Sequence, residues 1–194
     1  MNITPETKAR LEAAGHQAAL LYVEELAAQK ASVGHIELLE MHRRLFIQSW
    51  PEIAGRFRIE NIEITGTSYL PPHWQHVPGL IYQTLTALND QIKQTQRTDL
   101  LRIVALATQA HYDIVAIHPF RDGNGRIARC MLNYVFRYFD LPYVIIPVEA
   151  RERYLSALEA ANQGNLQLLA DLIIERYESS LDQLLTQELS LKSR

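Results

Sequence analysis

Apolar residues recur every three or four positions in one stretch of this chain after another, and that period is the strongest constraint on its fold. Residues 5–30 carry Leu11, Ala14, Ala18, Leu21, Tyr22 and Leu26 at helical spacing, after Thr4 as an N-cap and Pro5 at the first helical position. The pattern returns over residues 36–47, breaks at Pro51 and Gly55, and resumes over 77–94, 99–116, 125–139, about 149–162 and 166–190. Helices of this kind must bury an apolar stripe against one another. One segment differs. Over residues 59–69, "IENIEITGTSY", β-branched and aromatic residues alternate roughly with polar ones around Gly66, and Pro71 and Pro72 end the run. The expected class is all-α: a helical bundle with one short β-hairpin or single strand.

The chain has 194 residues, 47% of them hydrophobic and 21% charged, with no internal repeat and no Pro/Gly/Ser linker, so one domain over residues 1–194 is expected. A formal net charge of -3 supplies no global attraction for nucleic acid or an anionic membrane. An anion would have to be held locally. Cys130 is the only cysteine, which excludes an intrachain disulfide and a cysteine-based zinc site and fits a reducing compartment. No apolar run approaches the roughly 20 residues that span a bilayer, and the first residues, "MNITPETKARLEAAG", are charged rather than leader-like. A cytoplasmic protein without membrane or nucleic-acid partners is expected.

The stretch "HPFRDGNGRIAR", residues 118–129, places cations where a helix should begin. Ile127, Met131, Tyr134, Val135 and Tyr138 share one helical face, which puts the helix start near Asn124 or Gly125. Arg126 and Arg129 then lie side by side in its first turns. Positive charge there opposes the helix dipole, at about 0.3–1 kcal/mol per exposed residue, unless an anion is present. Gly123 and Gly125 clear side chains from the free N–H groups and permit the positive-φ backbone of an anion-binding nest. His118, with a reference pKa of about 6.5, supplies a base, and Asp122 a hard oxygen ligand of the kind Mg²⁺ takes beside phosphates. Nest, cationic clamp, base and metal ligand fall within twelve residues.

These residues resemble the signature of the Fic family, HxFx(D/E)GNGRxxR, at every specified position. "LEMHRRLF", "PEIAGRFR" and "YLPPHWQHV" before the signature, and "YLSALEAANQGN" after it, are similar to the flanking segments of Fic domains, so the resemblance spans roughly residues 36–185. It implies a Fic core over about 36–162, with residues 5–30 as a helical N-terminal extension and 166–190 as a C-terminal helix. It further implies protein adenylylation, in which AMP passes from ATP to a Tyr, Ser or Thr hydroxyl of a target protein. By the same resemblance His118 is the general base and Asp122 holds Mg²⁺. Gly123, Asn124 and Gly125, with the Asn124 side chain, form the anion cradle. Arg126 and Arg129 clamp the β- and γ-phosphates, and Phe120 anchors the loop in the core. Tyr154, Leu155 and Asn162 match positions lining the adenine and ribose pocket, although Leu155 departs from an aromatic pair seen in similar members. Gly66, Thr67, Ser68 and Tyr69 match a flap that aligns the target peptide by main-chain pairing.

Many Fic enzymes are restrained by a helix bearing [S/T]xxxE[G/N], whose glutamate pairs with the second signature arginine, here Arg129. No Ser or Thr precedes a Glu by four residues in this sequence. The resemblance therefore leaves three arrangements: an inhibitory partner protein acting in trans, no such restraint, or a sequence truncated before the motif. It also predicts transfer rather than removal of AMP. Two other readings stay open: a Fic-fold transferase using another phosphate-linked donor, and a non-catalytic nucleotide-binding or interaction module. His73 and His76 form an HxxH with no third ligand nearby, and His111 and Cys130 read as core residues. The leucine-rich face of residues 166–190 reads as core, its end as a possible homodimer contact.

Overall fold

A computed structural model describes residues 4–192 and contains seven α-helices: α1 Pro5–Ala28, α2 His35–Phe46, α3 Val77–Gln94, α4 Leu100–Ile117, α5 Asn124–Tyr138, α6 Arg151–Asn162 and α7 Gln167–Lys192. Short 3₁₀ turns at Trp74–His76 and Val148–Ala150 precede α3 and α6. The helix starts follow local chemistry. Thr4 Oγ1 accepts from the Thr7 amide ahead of Pro5, Glu37 reaches back to the Gly34 amide, and Asp99 accepts from the Arg102 amide. Only α5, among the helices that deliver site residues, begins at a glycine with neither a side-chain cap nor an acidic residue in its first turn.

The helices close over one core. α4 packs against α3, α5, α6 and α7, and α5 against α1, α2 and α4. Leu38, Met41, Phe46, Ile81, Ile103, Ile114, Phe120, Ile127, Met131 and Tyr134 are fully buried at these contacts. By length and hydropathy alone Leu100–Ile117 could cross a bilayer, yet here more than half of that helix is buried inside the bundle. Cys130 is buried in the core, where burial pushes its thiol up to about 12. The α7 face divides: Leu169, Leu172, Ile173 and Tyr177 are core, whereas Leu168, Leu184 and Leu185 are exposed.

The expected β element does not form. Among the described residues there is no strand; residues 59–73 run as an irregular extended loop with a turn at Thr65–Gly66, where Gly66 has φ +87°. Strand propensity needs a partner ladder to become a sheet. The loop is instead tied down by polar contacts, with the Thr67 hydroxyl donating to Glu159 (2.9 Å) and the Trp74 amide donating to Asn61 Oδ1 (3.0 Å).

Gly15 sets how closely α1 approaches α2. A Cβ at this position would lie 2.2 Å from the Leu45 carbonyl oxygen, so only glycine allows the two backbones to meet. Gly15→Ala is expected to destabilise by about 1–3 kcal/mol through overpacking. Gly79→Ala, in an α3 position with nothing within 4 Å of the added carbon, is expected to be neutral or to stabilise by about 0.5–1 kcal/mol. Urea denaturation of the two variants checks both signs.

Candidate active site

α4 ends by turning left-handed at His118, φ 50° and ψ 59°, a conformation that costs a non-glycine residue energy and must be held from outside. Arg58 holds it. Its buried guanidinium donates from Nε to the His118 carbonyl (2.8 Å), from Nη2 to the Ile117 and Pro72 carbonyls, and from Nη1 to the Glu60 carbonyl (3.0 Å); its amide donates to the Pro119 carbonyl (2.9 Å). The sequence marked Arg58 only as part of "PEIAGRFR". No local pattern distinguishes an arginine that folds inward from one that faces water.

The His118 ring is oriented by one contact. Nδ1 lies 3.1 Å from the Val115 carbonyl, which can only accept, so Nδ1 carries the proton and Nε2 has a free lone pair. Burial lowers the His118 pKa below its ordinary 6.5 and Arg58 adds to the effect, while the Val115 carbonyl and Asp122 oppose it. The imidazole is therefore neutral at pH 7, with Nε2 able to take a proton.

The loop between His118 and α5 is braced from inside. Asn124 is almost fully buried; its Oδ1 accepts from the Phe120 amide (2.9 Å) and its Nδ2 donates to the Phe120 carbonyl (2.8 Å). This corrects the expectation that the Asn124 side chain faces an anion, because both of its polar ends are already paired with the loop backbone. Phe120 is fully buried as expected and stacks on His42, with ring centroids 3.9 Å apart and planes 4° from parallel. His42 Nδ1 accepts from the Gly55 amide, so Nε2–H donates to the Asp122 carbonyl (3.1 Å). Burial drives the His42 pKa down to about 4. Sequence reading missed His42, which sits inside "LEMHRRLF" with no signal except its place on the apolar face of α2.

Gly123 is needed for a different reason from Gly125. It has φ +81°, and a Cβ there would lie 2.5 Å from the Phe46 ring; at Gly125 the nearest atom to an added Cβ is Arg129 Nη1 at 3.6 Å. The first glycine lets the loop pack on α2, while the second leaves the helix end open. Among the described residues the Asn124 and Gly125 amides have no hydrogen-bond partner, so they form the donor pair of the nest.

Arg126 already has an anion. Its Nη1 pairs with Glu12 Oε2 of α1 (2.7 Å), its Nη2 lies 3.6 Å from Asp122 Oδ1, and its guanidinium covers the Phe46 ring at 4.8 Å. Arg129 makes no ion pair among the described residues and borders an apolar groove between α1 and residues 143–146. Asp122 Oδ1 accepts from the Gly123 amide, and the half-exposed side chain leaves Oδ2 without a partner. A lone carboxylate oxygen beside free amides and an arginine fits Mg²⁺ shared with phosphates; no cluster of three or more acidic, His or Cys ligands exists among the described residues.

The remaining predicted residues gather on α6 and the loop before α3. The Tyr154 hydroxyl turns inward to His111 Nε2 (3.2 Å). Burial raises the Tyr154 pKa and Arg129 partly offsets that rise. His111 is wholly buried with its pKa lowered to about 3. Asn162 Oδ1 accepts from the Tyr112 hydroxyl (3.3 Å) and Nδ2 donates to Glu159 Oε2 (3.4 Å), which also accepts from Thr67. Thr67 Oγ1 accepts from the Tyr69 amide in turn (3.1 Å). Gly66 to Tyr69 are thus linked through Glu159 to Asn162. Leu155 is half exposed one position beyond Tyr154, and Ser68 continues the loop.

The model of the family described as "Fic/DOC family" matches residues 33–136. The chain belongs to the Fic/DOC family. "Protein adenylyltransferase fic-1" of Caenorhabditis elegans is 33% identical over 172 residues, covering 88% of this chain and 32% of that protein. "Protein adenylyltransferase Fic" of Drosophila melanogaster is 32% identical over 171 residues, covering 88% of this chain and 33% of that protein. The solved structure "Fic-1 (aa134 - 508) from C. elegans" superimposes with a TM-score of 0.79 at 28% identity, covering 97% of this chain and 55% of that one. The chain spans about a third of the length of these curated relatives. As in other members of the family, the fold is all-helical.

The buried histidines set an acid limit on the fold. His42 has a folded pKa of about 4 and His111 of about 3, against an ordinary 6.5, so the unfolded chain binds more protons below pH 6.5. Their contribution is complete above that pH and is lost as pH falls toward the folded values, up to about 3 kcal/mol for His42. Unfolding free energy measured at pH 7, 5.5 and 4.5 is expected to decline stepwise.

Proposed function

We propose that this chain is a protein adenylyltransferase that transfers AMP from ATP to a hydroxyl side chain of a target protein. The observation that carries the reading is the tautomer of His118. An unprotonated Nε2 stands at the loop that leads into the free amides of Asn124 and Gly125. A nucleotide-binding module needs the nest but not the base. That relatives at 32–33% identity are named protein adenylyltransferases supports the same reaction.

The chemistry follows from the groups present. The target hydroxyl oxygen bonds to the α-phosphorus of ATP, its proton passes to His118 Nε2, and the bond to pyrophosphate breaks. The Asn124 and Gly125 amides and the Arg126 and Arg129 guanidiniums stabilise the charge that moves onto the phosphates. Asp122 is the residue that would hold Mg²⁺, whose charge would offset the negative charge of the nucleotide's phosphates. Tyr154, Leu155 and Asn162 border the nucleoside. Residues 66–69, extended and outside any strand, are the segment that would pair with a target peptide. With no [S/T]xxxE pattern in these residues, restraint by a partner in trans is the regulated form of this proposal. A cytoplasmic setting and a homodimer through the exposed end of α7 complete the reading.

Incubation with Mg²⁺ and α-³²P-ATP, alone and with cell lysate, tests it. Label that adds one AMP to a protein and falls by at least about a hundredfold in His118→Ala is expected, the range for losing a general base. Label that persists in His118→Ala, or measurable ATP binding without transfer, would sink it. Because the His118 pKa is lowered, the acid limb of the rate is expected to have its midpoint below pH 6.5. A midpoint at or above pH 6.5 would contradict the assigned environment. Arg58→Lys, which keeps the charge but loses the fork, is expected to lower kcat at least tenfold with little change in ATP affinity.

A further inference from the structure

α1 lies outside residues 33–136, which the family model matches, yet it reaches the first signature arginine. Gly15 brings α1 onto α2 at Leu45, where an added Cβ would lie 2.2 Å from the carbonyl oxygen. Three residues earlier on α1, Glu12 accepts through Oε2 from Arg126 Nη1 at 2.7 Å, a charge-assisted hydrogen bond. Its Oε1 lies 3.8 Å from Lys8 Nζ. Both Glu12 and Arg126 are half-buried, so salt screens their bond less than it would at an exposed site.

Arg126 has a second carboxylate within reach. Asp122 precedes it by four residues, yet Nη2 stays 3.6 Å from Asp122 Oδ1, beyond hydrogen-bond distance, while Nη1 is bonded to Glu12. The guanidinium also covers the Phe46 ring at 4.8 Å, and the same ring packs against Gly123, where an added Cβ would meet it at 2.5 Å. Arg126 is therefore held from α1 and α2 and not by its neighbour in the chain. We propose that Glu12 is a positioning residue that keeps Arg126 off Asp122, leaving the carboxylate free for Mg²⁺ and the arginine free for the nucleotide's phosphates. The inference rests on the adenylyltransferase reading and gives α1 a part in that site.

An arginine fork and a carboxylate this close tend to close into a bidentate pair, which would spend both groups on each other. Glu12 prevents that by offering the shorter bond on the other edge of the guanidinium. Asp122 Oδ1 accepts from the Gly123 amide, and Oδ2 keeps the free lone pairs that a hard cation takes. Glu12 bonds the first signature arginine and not Arg129. It thus differs in place and in sign from the restraining glutamate of the [S/T]xxxE[G/N] motif: it readies the site instead of blocking it.

Two measurements on the full chain test the proposal: a crystal structure of ligand-free Glu12→Gln, and ATP binding by titration calorimetry with Mg²⁺ and with EDTA. A thermal melt accompanies each variant. In Glu12→Gln, which keeps the shape and loses the charge, Arg126 Nη2 is expected to move within hydrogen-bond distance of Asp122. ATP is expected to bind about tenfold more weakly with Mg²⁺, the scale of one charge-assisted contact, and within about threefold of wild type in EDTA. The EDTA affinity is spared because Arg126 then neutralises the carboxylate that repels the free nucleotide. In an Arg126→Ala background the same substitution is expected to change neither affinity. An unmoved Arg126, unchanged or tighter binding with Mg²⁺, equal weakening with and without Mg²⁺ as a merely loosened α1 would give, or an effect that survives without Arg126 would each overturn the inference. If Glu12→Gln does not fold, Glu12→Ala is measured with the same expectations. Wild-type protein that binds no ATP would overturn the adenylyltransferase reading, and wild-type binding that gains nothing from Mg²⁺ its Asp122 assignment. Mg²⁺-assisted binding insensitive to Glu12 overturns this inference alone.

Discussion

The Arg58 guanidinium is buried without a carboxylate partner among the described residues, and the carbonyls of Ile117 and His118 at the C-terminal end of α4 take its place. Those carbonyls carry the negative end of the helix dipole and are the acceptors a helix leaves unsatisfied. One cation therefore solves two problems: it neutralises the end of α4 and it locks the left-handed turn that aims His118. Its other bonds, to Glu60 and Pro72, draw the loop before α3 against the same turn. The base and the segment nearest it are thereby held by one side chain.

The loop between His118 and α5 links two helix ends of opposite polarity. The negative end of α4 is closed by Arg58, whereas the positive end of α5 is left uncapped with two free amides. Between them Asn124 grips Phe120 at both backbone atoms, and His42 stacks on Phe120 while holding the Asp122 carbonyl. None of these three side chains has a polar atom left for substrate. Their effect is preorganisation: the free amides and the His118 ring are held in place by the protein itself.

Charge around the nest is arranged unequally. Glu12 and Asp122 both approach Arg126, which makes that arginine a braced element with one edge committed to α1, while Arg129 faces the open groove. On the opposite side Thr67, Glu159, Asn162 and Tyr112 form a hydrogen-bonded chain from the loop before α3 to α6 and α4. The loop before α3 and Asn162 of α6 therefore share one residue, Glu159.

The seven helices were legible because their apolar stripes follow the 3.6-residue period, and the signature was legible because its residue types sit together in one stretch of chain. His118 ends α4, and Gly125, Arg126 and Arg129 lie in the first turns of α5, as the apolar period implies. The hairpin expected at residues 59–69 was not, since alternation states a preference for extended backbone but not the presence of a partner strand. Only the tertiary structure could turn the Asn124 side chain away from the ligand, because that depends on where the Phe120 backbone lies. The same holds for Arg58, His42 and Glu12. Each reaches the site from an element separated from it in sequence by dozens of residues, and helix packing, above all the close approach at Gly15, decides which face meets which. Sequence alone determines the period and the local chemistry; contacts across the fold decide which polar atoms are spent on architecture and which are left for substrate.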